Sequence, residues 1–444
     1  MKIAVLAAGS RGDVQPYLAL ALALQRAGHD AVFAASRNAA ALARLHDIPF
    51  FPLDVDFEEL AAGGRLRPAL RSERPPRFLL GAFQTMPQVL RVLQEDAWRA
   101  CQGVDVAIYH PLMLPNAFYV ARHLGIPAIP ACLYPLYPTR AHPALPFFTG
   151  PRLGSGYNLA THWITDRIIR LLLRPPIHRF WAQRLAPGPL RELTRGDESE
   201  AHALYGYSER VMPRPADWPD RIHVTGFWFL EPPPGWQPPE DLVRFLEAGP
   251  APVYIGFGSM GSEAQAARMT QVVIGAIGRA DVRAVLSAGW AGLGRGAELP
   301  GSVLRVGDVP HAWLFPRIAA VVHHGGIGTT AAAIRAGVPS VIVPHTGDQP
   351  IWAKVAHELG VATPPIRLRS LTELGLSRAI VLAQADSALR ARAKELGERV
   401  RAEDGLASAL GIIEDILGNP RRRPLDNSQQ AESLSDSTGG GIRP

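Results

Sequence analysis

The chain has 444 residues, 47% hydrophobic and 19% charged, with a net charge of +6. That composition excludes a disordered chain, and the length exceeds one ordinary domain, so two or three are expected. Arginine carries nearly all of the positive balance, since Lys2, Lys354 and Lys394 are the only lysines. No basic run interleaved with aromatics lies inside the expected folded part, which argues against a nucleic-acid partner.

The N-terminal MKIAVLAAGSRGD reads as a first strand and its loop rather than a cleaved leader. Ile3–Ala7 is a buried-type strand, and Val14–Ala27 repeats apolar residues at helical spacing before stopping at Gly28. Ala31–Ala35, Val104–Tyr109 and Ala128–Ala131 follow as strands, and this alternation implies βαβ units in a parallel sheet. Residues 65–91 and 133–190 are irregular and carry scattered aromatics, among them Phe147, Phe148, Trp163 and Trp181. Such insertions are candidate binding loops or packed core. Glu231–Pro252 is dense in proline and reads as a semi-rigid linker. The alternation then restarts with strands Val253–Ile255, Ala284–Leu286, Ser302–Val306, Ala319–Val322 and Ser340–Val343, and with helices Ala264–Arg279 and Thr329–Ala336. After about Gly418 the chain is polar and of low complexity, and disorder is expected.

No segment reaches the roughly 18 uninterrupted apolar residues of a membrane span. Cys101 and Cys132 are too few for a disulfide framework and belong to no metal-ligand cluster. A cytoplasmic protein without metal or other cofactor is expected, at most resting on a membrane surface.

The most informative stretch is His323–Pro350, HHGGIGTTAAAIRAGVPSVIVPHTGDQP. Glycines at 325, 326 and 328 allow positive φ and a close backbone approach. The N–H groups of a helix starting at Thr329, with the Thr329 and Thr330 hydroxyls, form an anion site, to which His324 adds a donor. Asp348 and Gln349 follow the next strand and emerge on the same side, with acceptors and donors suited to sugar hydroxyls. A sugar diphosphate nucleotide is the simplest ligand for that pair of loops. Gly256-Phe-Gly-Ser-Met-Gly261 matches a dinucleotide fingerprint, but the next strand ends in Leu286-Ser287-Ala288-Gly289 with no ribose-holding acid. A nicotinamide enzyme is disfavoured, and Ser259 remains a phosphate-facing candidate. In the first half, Gly9–Pro16 places Asp13 at a helix start. Asp13 is either a cap or a general base for an attacking hydroxyl.

GSRGDVQPYLALALAL, VTGFWFL with PPPGWQPP and PVYIGFGSM, and DVPHAWLFP through HHGGIGTT to GDQP resemble the sterol-type branch of bacterial and fungal nucleotide-sugar glycosyltransferases. That branch is similar to the glycopeptide and macrolide antibiotic glycosyltransferases, and the likeness runs from residue 1 to about 417. The resemblance implies an α/β chain of GT-B fold, two Rossmann-like βα domains facing across a cleft. It divides the chain into an acceptor-binding domain (1–228), a proline-rich linker (229–251) and a nucleotide-sugar-binding domain (252–402). A helix (403–418) returns to the first domain ahead of a disordered tail (419–444). It implies an inverting, metal-independent transfer with Asp13 as the base. His324, Gly326, Gly328, Thr329 and Ser259 fall at the diphosphate, Asp348 and Gln349 at the sugar. Ser10, Arg11, Gly12 and His323 are secondary donor-loop candidates.

Two departures bear on the donor. The plant members' base-stacking tryptophan is replaced by Asp308 ahead of Val309 and Pro310, so the backbone around Val309 is the candidate base site. Their ribose-binding glutamate is replaced by Ala332. Phe78, Phe83, Met86, Phe147, Phe148 and His110 are the candidates for an apolar acceptor pocket. The expected reaction moves a hexose, first of all glucose from UDP-glucose, onto a hydroxyl of a sterol, polycyclic lipid or polyketide. A dTDP-sugar antibiotic glycosyltransferase and a UDP-sugar epimerase of the same fold are the alternatives. No obligate protein partner is expected.

Overall fold

The computed structural model of the chain describes residues 1–418 except 10, 56–88, 112–113, 145–152, 187–192, 194–199, 259–262, 288, 290–292, 295, 297 and 346. The expectations at Ser10, Phe78, Phe83, Met86, Phe147, Phe148, Ser259 and the 419–444 tail lie outside the described residues.

Two parallel sheets organise the molecule. The first runs β3-β2-β1-β4-β5-β6-β7, with β1 Lys2–Leu6, β2 Asp30–Ser36, β3 Phe50–Leu53, β4 Val106–Tyr109, β5 Ala128–Cys132, β6 Ala203–Tyr205 and β7 Ile222–Val224. The second runs β10-β9-β8-β11-β12, with β8 Val253–Gly256, β9 Ala284–Ser287, β10 Val303–Val306, β11 Ala320–His323 and β12 Ser340–Ile342. Every strand pair is parallel. Both faces of such sheets are covered by helices, which is why β1, β4, β8 and β11 read as near-continuous apolar runs.

Strand order reverses between β1 and β4 in one sheet and between β8 and β11 in the other. Ligands in open α/β sheets bind outside the carboxyl ends of the strands at such reversals. The loops leaving β1, β8 and β11 include the glycine turns singled out above.

Helix boundaries differ from the sequence reading in instructive ways. Helix α1 spans Arg11–Arg26, three residues earlier than the apolar spacing indicates, so Arg11, Gly12 and Asp13 form its first turn. These residues carry no apolar stripe, and Pro16 reads as a boundary although it sits inside the helix. The 133–190 stretch, read as irregular, contains the 28-residue helix α4 (Ser155–Ala182), after α2 (Ala40–Leu45) and α3 (Asn116–Leu124). Its weak apolar periodicity and the Pro175-Pro176 pair hide it from pattern reading. The proline-rich linker holds helix α5 (Glu240–Glu247), whose Leu242 is fully buried.

One apolar cluster joins the two sheets. It includes Tyr17 and Leu18 of α1, Tyr207, Trp228, Ile351 and Trp352. The Tyr207 and Trp352 rings lie 6.4 Å apart. Helix α12 (Gly405–Gly418) buries Ala409, Ile413, Ile416 and Leu417 in that cluster, packs against α1, and brings Glu414 to 3.8 Å from His29. A Cβ on Gly405 would lie 2.5 Å from the Phe227 carbonyl oxygen, so only glycine starts the helix there. Between them come α6 (Glu263–Ala280), α7 (His311–Leu314), α8 (Ile327–Ala336), α9 (Gln349–Glu358), α10 (Glu373–Ala385) and α11 (Ser387–Arg401).

Candidate active site

The turn from β11 to α8 is built around histidine rings and missing side chains. Of the three glycines expected at positive φ, only Gly325 takes it, at +89°. Gly326 caps α8 in an extended conformation, and the helix starts at Ile327 rather than Thr329, so Gly328 is helical. Gly326 and Gly328 serve close approach instead. A Cβ on Gly326 would lie 2.5 Å from His324 Nε2, and one on Gly258 2.8 Å from His324 Cε1. The Gly258 of the second glycine motif thus makes room for the His324 ring. Gly326 supplies no side-chain cap. The first N–H groups of α8 therefore have no partner within the helix or its cap.

Thr330 corrects the anion-site reading. Its hydroxyl is buried and donates to the Gly326 carbonyl (2.9 Å), leaving Thr329 as the half-buried hydroxyl of the first turn. His323 is also reassigned: it is fully buried, and its Nδ1 accepts the Gly325 N–H (3.1 Å), so it shapes the turn instead of facing a donor. His324 Nδ1 is buried without a hydrogen-bond partner. Burial pushes the His324 ring down to about 3, with His345 and His311 adding and a backbone contact to Gly256 opposing. The ring is therefore neutral at pH 7.

The β12 loop brings in Asp348 and Gln349. Asp348 precedes α9 without capping it, because Trp352 Nε1 donates to its Oδ2 (2.9 Å). Gln349 is 7% exposed, and its Oε1 accepts the His345 N–H (2.8 Å). Burial raises the Asp348 carboxyl to about 7, and the second cause is the charge of Asp13. A carboxylate of the first sheet thus acts on one of the second.

Asp13 packs over the β1 loop: a Cβ on Gly9, whose φ is +137°, would lie 2.6 Å from Asp13 Oδ2. Tyr134, in the loop after β5, is pushed up by burial, then by Cys132, Asp348 and Asp13. It therefore sits near both acids. The sequence reading missed it, because CLYPLYP carries no chemical pattern; only its place after β5 was legible. Also missed was the ion pair between Arg11 and Asp308 (2.5 Å), which joins the start of α1 to the loop after β10. A Cβ on Gly328 would come within 3.4 Å of Gly12 Cα, so the first turns of α1 and α8 meet closely.

The remaining candidates are packed residues. His110 is 2% exposed among Tyr17 and Tyr134, and burial lowers it to about 4, so it is a neutral packed residue. The Val309 side chain is buried with Tyr254, Leu314 and Phe315. Trp313 packs edge-on against Trp236 (5.5 Å) under Arg317, as its helical setting suggests. Ala332 packs beside the same cluster.

Comparison with known proteins gives the family and the fold. Residues 3–127 match the glycosyltransferase family 28 N-terminal domain, and residues 271–410 the erythromycin biosynthesis protein CIII-like C-terminal domain. The O-mycaminosyltylonolide 6-deoxyallosyltransferase of Streptomyces fradiae is 34% identical over 423 residues, covering 94% of this chain and 97% of that protein. The sterol 3-beta-glucosyltransferase of Emericella nidulans is 36% identical over 93% of this chain. The chain spans only 30% of that longer enzyme. Among solved structures, the glycotransferase of kitacinnamycin superposes with a TM-score of 0.63 at 20% identity, covering 95% of this chain and 99% of that one. Glycosyltransferase VinC, solved in complex with dTDP, gives 0.63 at 20% identity over 94% and 99%. These two share the fold. With a relative matched over nearly its whole length, the chain belongs to the nucleotide-sugar glycosyltransferases of GT-B fold, alongside the sterol and antibiotic enzymes.

Proposed function

We propose that this glycosyltransferase moves a hexosyl group from a nucleoside diphosphate sugar, UDP-glucose first, onto a hydroxyl of a sterol, other polycyclic or macrolide acceptor, with inversion. The observation that carries the reading is the convergence of Asp13, His324, Asp348 and the α8 N-terminus at facing strand ends. Asp13 takes the acceptor hydroxyl proton while that oxygen forms a bond to the anomeric carbon. The bond from that carbon to the diphosphate breaks, and the diphosphate leaves with the electron pair. The α8 amides, Thr329, His324 and Ser259 hold the negative charge that builds there, a role that helix N-termini and fixed donors suit. His324 Nδ1 is buried without a partner, and in the tautomer that carries its proton there it donates to a phosphate oxygen. Asp348 and Gln349 hold sugar hydroxyls. With its carboxyl near about 7, Asp348 can both donate and accept at neutral pH.

In this reading residues 1–228 bind the acceptor, 252–402 bind the donor, and the backbone around Val309 meets the base. Arg11 and Gly12 border the diphosphate from the other side. The dTDP-sugar reading has support of its own, in the dTDP of the VinC complex and the deoxyallosyl transfer named for the Streptomyces fradiae relative. Thermal unfolding with matched UDP-glucose, dTDP-glucose and NAD separates these readings. A ligand at a hundred times its Kd adds about 2.7 kcal/mol. A selective rise with UDP-glucose supports the first reading, a larger one with dTDP-glucose the second. A rise with NAD alone overturns both.

A further inference from the structure

The stretch of α4 from Ser155 to Leu171 wears its polarity inside out. It buries Asn158, Thr161 and His162, while Leu159, Trp163, Ile164 and Leu171 face solvent. The exposures are large where they matter, 69% for Trp163 and 63% for Leu171. A water-facing helix ordinarily does the reverse. The inward polar groups bond the segment after β5. Asn158 Nδ2 donates to the Arg140 carbonyl (2.9 Å), Thr161 Oγ1 accepts the Ala144 N–H (2.9 Å), and a His162 ring nitrogen bonds the His142 carbonyl (3.1 Å). The helix is therefore held in this orientation, with its apolar side out.

We propose that this face of α4 docks on an anionic lipid bilayer. Arg167, Arg170, Arg174 and Arg179 stand exposed on the helix against one acid, Asp166, which is paired with Arg170 (2.8 Å). Indole and leucine side chains enter the headgroup boundary, while arginines reach up to the phosphates, the pattern of an interfacial basic helix. Charge also decides against a second copy as the occupant. A two-fold contact would set four arginines against the same four. Docking stands apart from the catalytic proposal, because it is read without turnover. The segment that pins α4 runs on from Tyr134.

The test uses the full chain with phosphatidylcholine vesicles and with vesicles containing phosphatidylglycerol, read by co-sedimentation. Binding to the anionic vesicles, weakened by salt, is expected. It should fall about tenfold or more in Trp163→Ser/Leu171→Ser and in Arg167→Gln/Arg174→Gln. Both double variants change exposed residues, and circular dichroism together with the nucleotide-induced thermal shift checks that they remain folded. The triple variant Arg421→Gln/Arg422→Gln/Arg423→Gln, in the basic run at the start of the 419–444 tail, should bind as the parent does. The proposal fails if the parent ignores anionic vesicles, if the helix variants bind equally well, or if only the triple variant loses binding. It also fails if sedimentation shows a dimer that Trp163→Ser/Leu171→Ser converts to a monomer.

Discussion

The loops leaving β1 and β11 are built alike and differ in charge. Each follows a buried parallel strand, turns on a glycine at positive φ (Gly9 or Gly325) and enters a helix. The first turn of α1 carries Asp13; the first turn of α8 carries no acid, and its strand ends in histidines that burial holds neutral. In α1 the positive end of the helix is already matched by a carboxylate. In α8 it is left for an anion from outside. In the proposed reaction, one charged residue in the first turn thus separates a base-bearing loop from an anion-binding one.

The sharpest way to break that contrast is Asp13→Asn. Turnover should fall by about 10² to 10⁴, the usual worth of a general base, while the nucleotide-induced thermal shift persists. Full activity would remove Asp13 from the role. The converse change, Thr329→Asp, writes the α1 pattern into α8. Like charges brought together cost several kcal/mol, so the dissociation constant for UDP should rise by about a hundredfold or more. Calorimetric titration with unchanged affinity would place the diphosphate elsewhere.

A subtler effect concerns the coupling between the two acids. The Asp348 carboxyl is raised to about 7, so the folded protein binds this proton more tightly than the unfolded chain does. Its contribution is fully present below the unfolded carboxylate range and is lost as pH rises toward about 7. Comparing melting temperatures of parent and Asp348→Asn across that window should show the parent losing ground as pH increases. Asp13→Asn should reduce the same slope, since Asp13 is the second cause of the shift. Parallel curves for all three proteins would deny the coupling. The smallest effect is expected for Arg11→Gln, which removes the ion pair to the exposed Asp308. Surface pairs of this kind contribute about 0–1 kcal/mol, so denaturant unfolding should barely change.

Much of this molecule was legible from its residues alone. Buried parallel strands announce themselves as short apolar runs, and the observed strands lie within a residue or two of Ile3–Ala7, Ala31–Ala35, Val253–Ile255 and Ser340–Val343. The His323–Thr330 turn and Asp348-Gln349 stood out because glycines, histidines and a carboxamide beside a carboxylate cluster after two neighbouring strands. Other features were decided only by the tertiary structure. Which hydroxyl of Thr329-Thr330 stays available depends on Thr330 bonding back to Gly326, and His323 turns inward because it holds the Gly325 amide. Tyr134 joins the site, and Arg11 meets Asp308, through contacts between residues far apart in the chain. Local pattern records what each segment must bury; it carries no record of what the opposite wall of a cleft will present. For the same reason α4 escaped notice: the inward face of its first half is polar and bonds a segment that comes before it, so its buried apolar residues are confined to Ile177, Phe180 and Trp181 near its end.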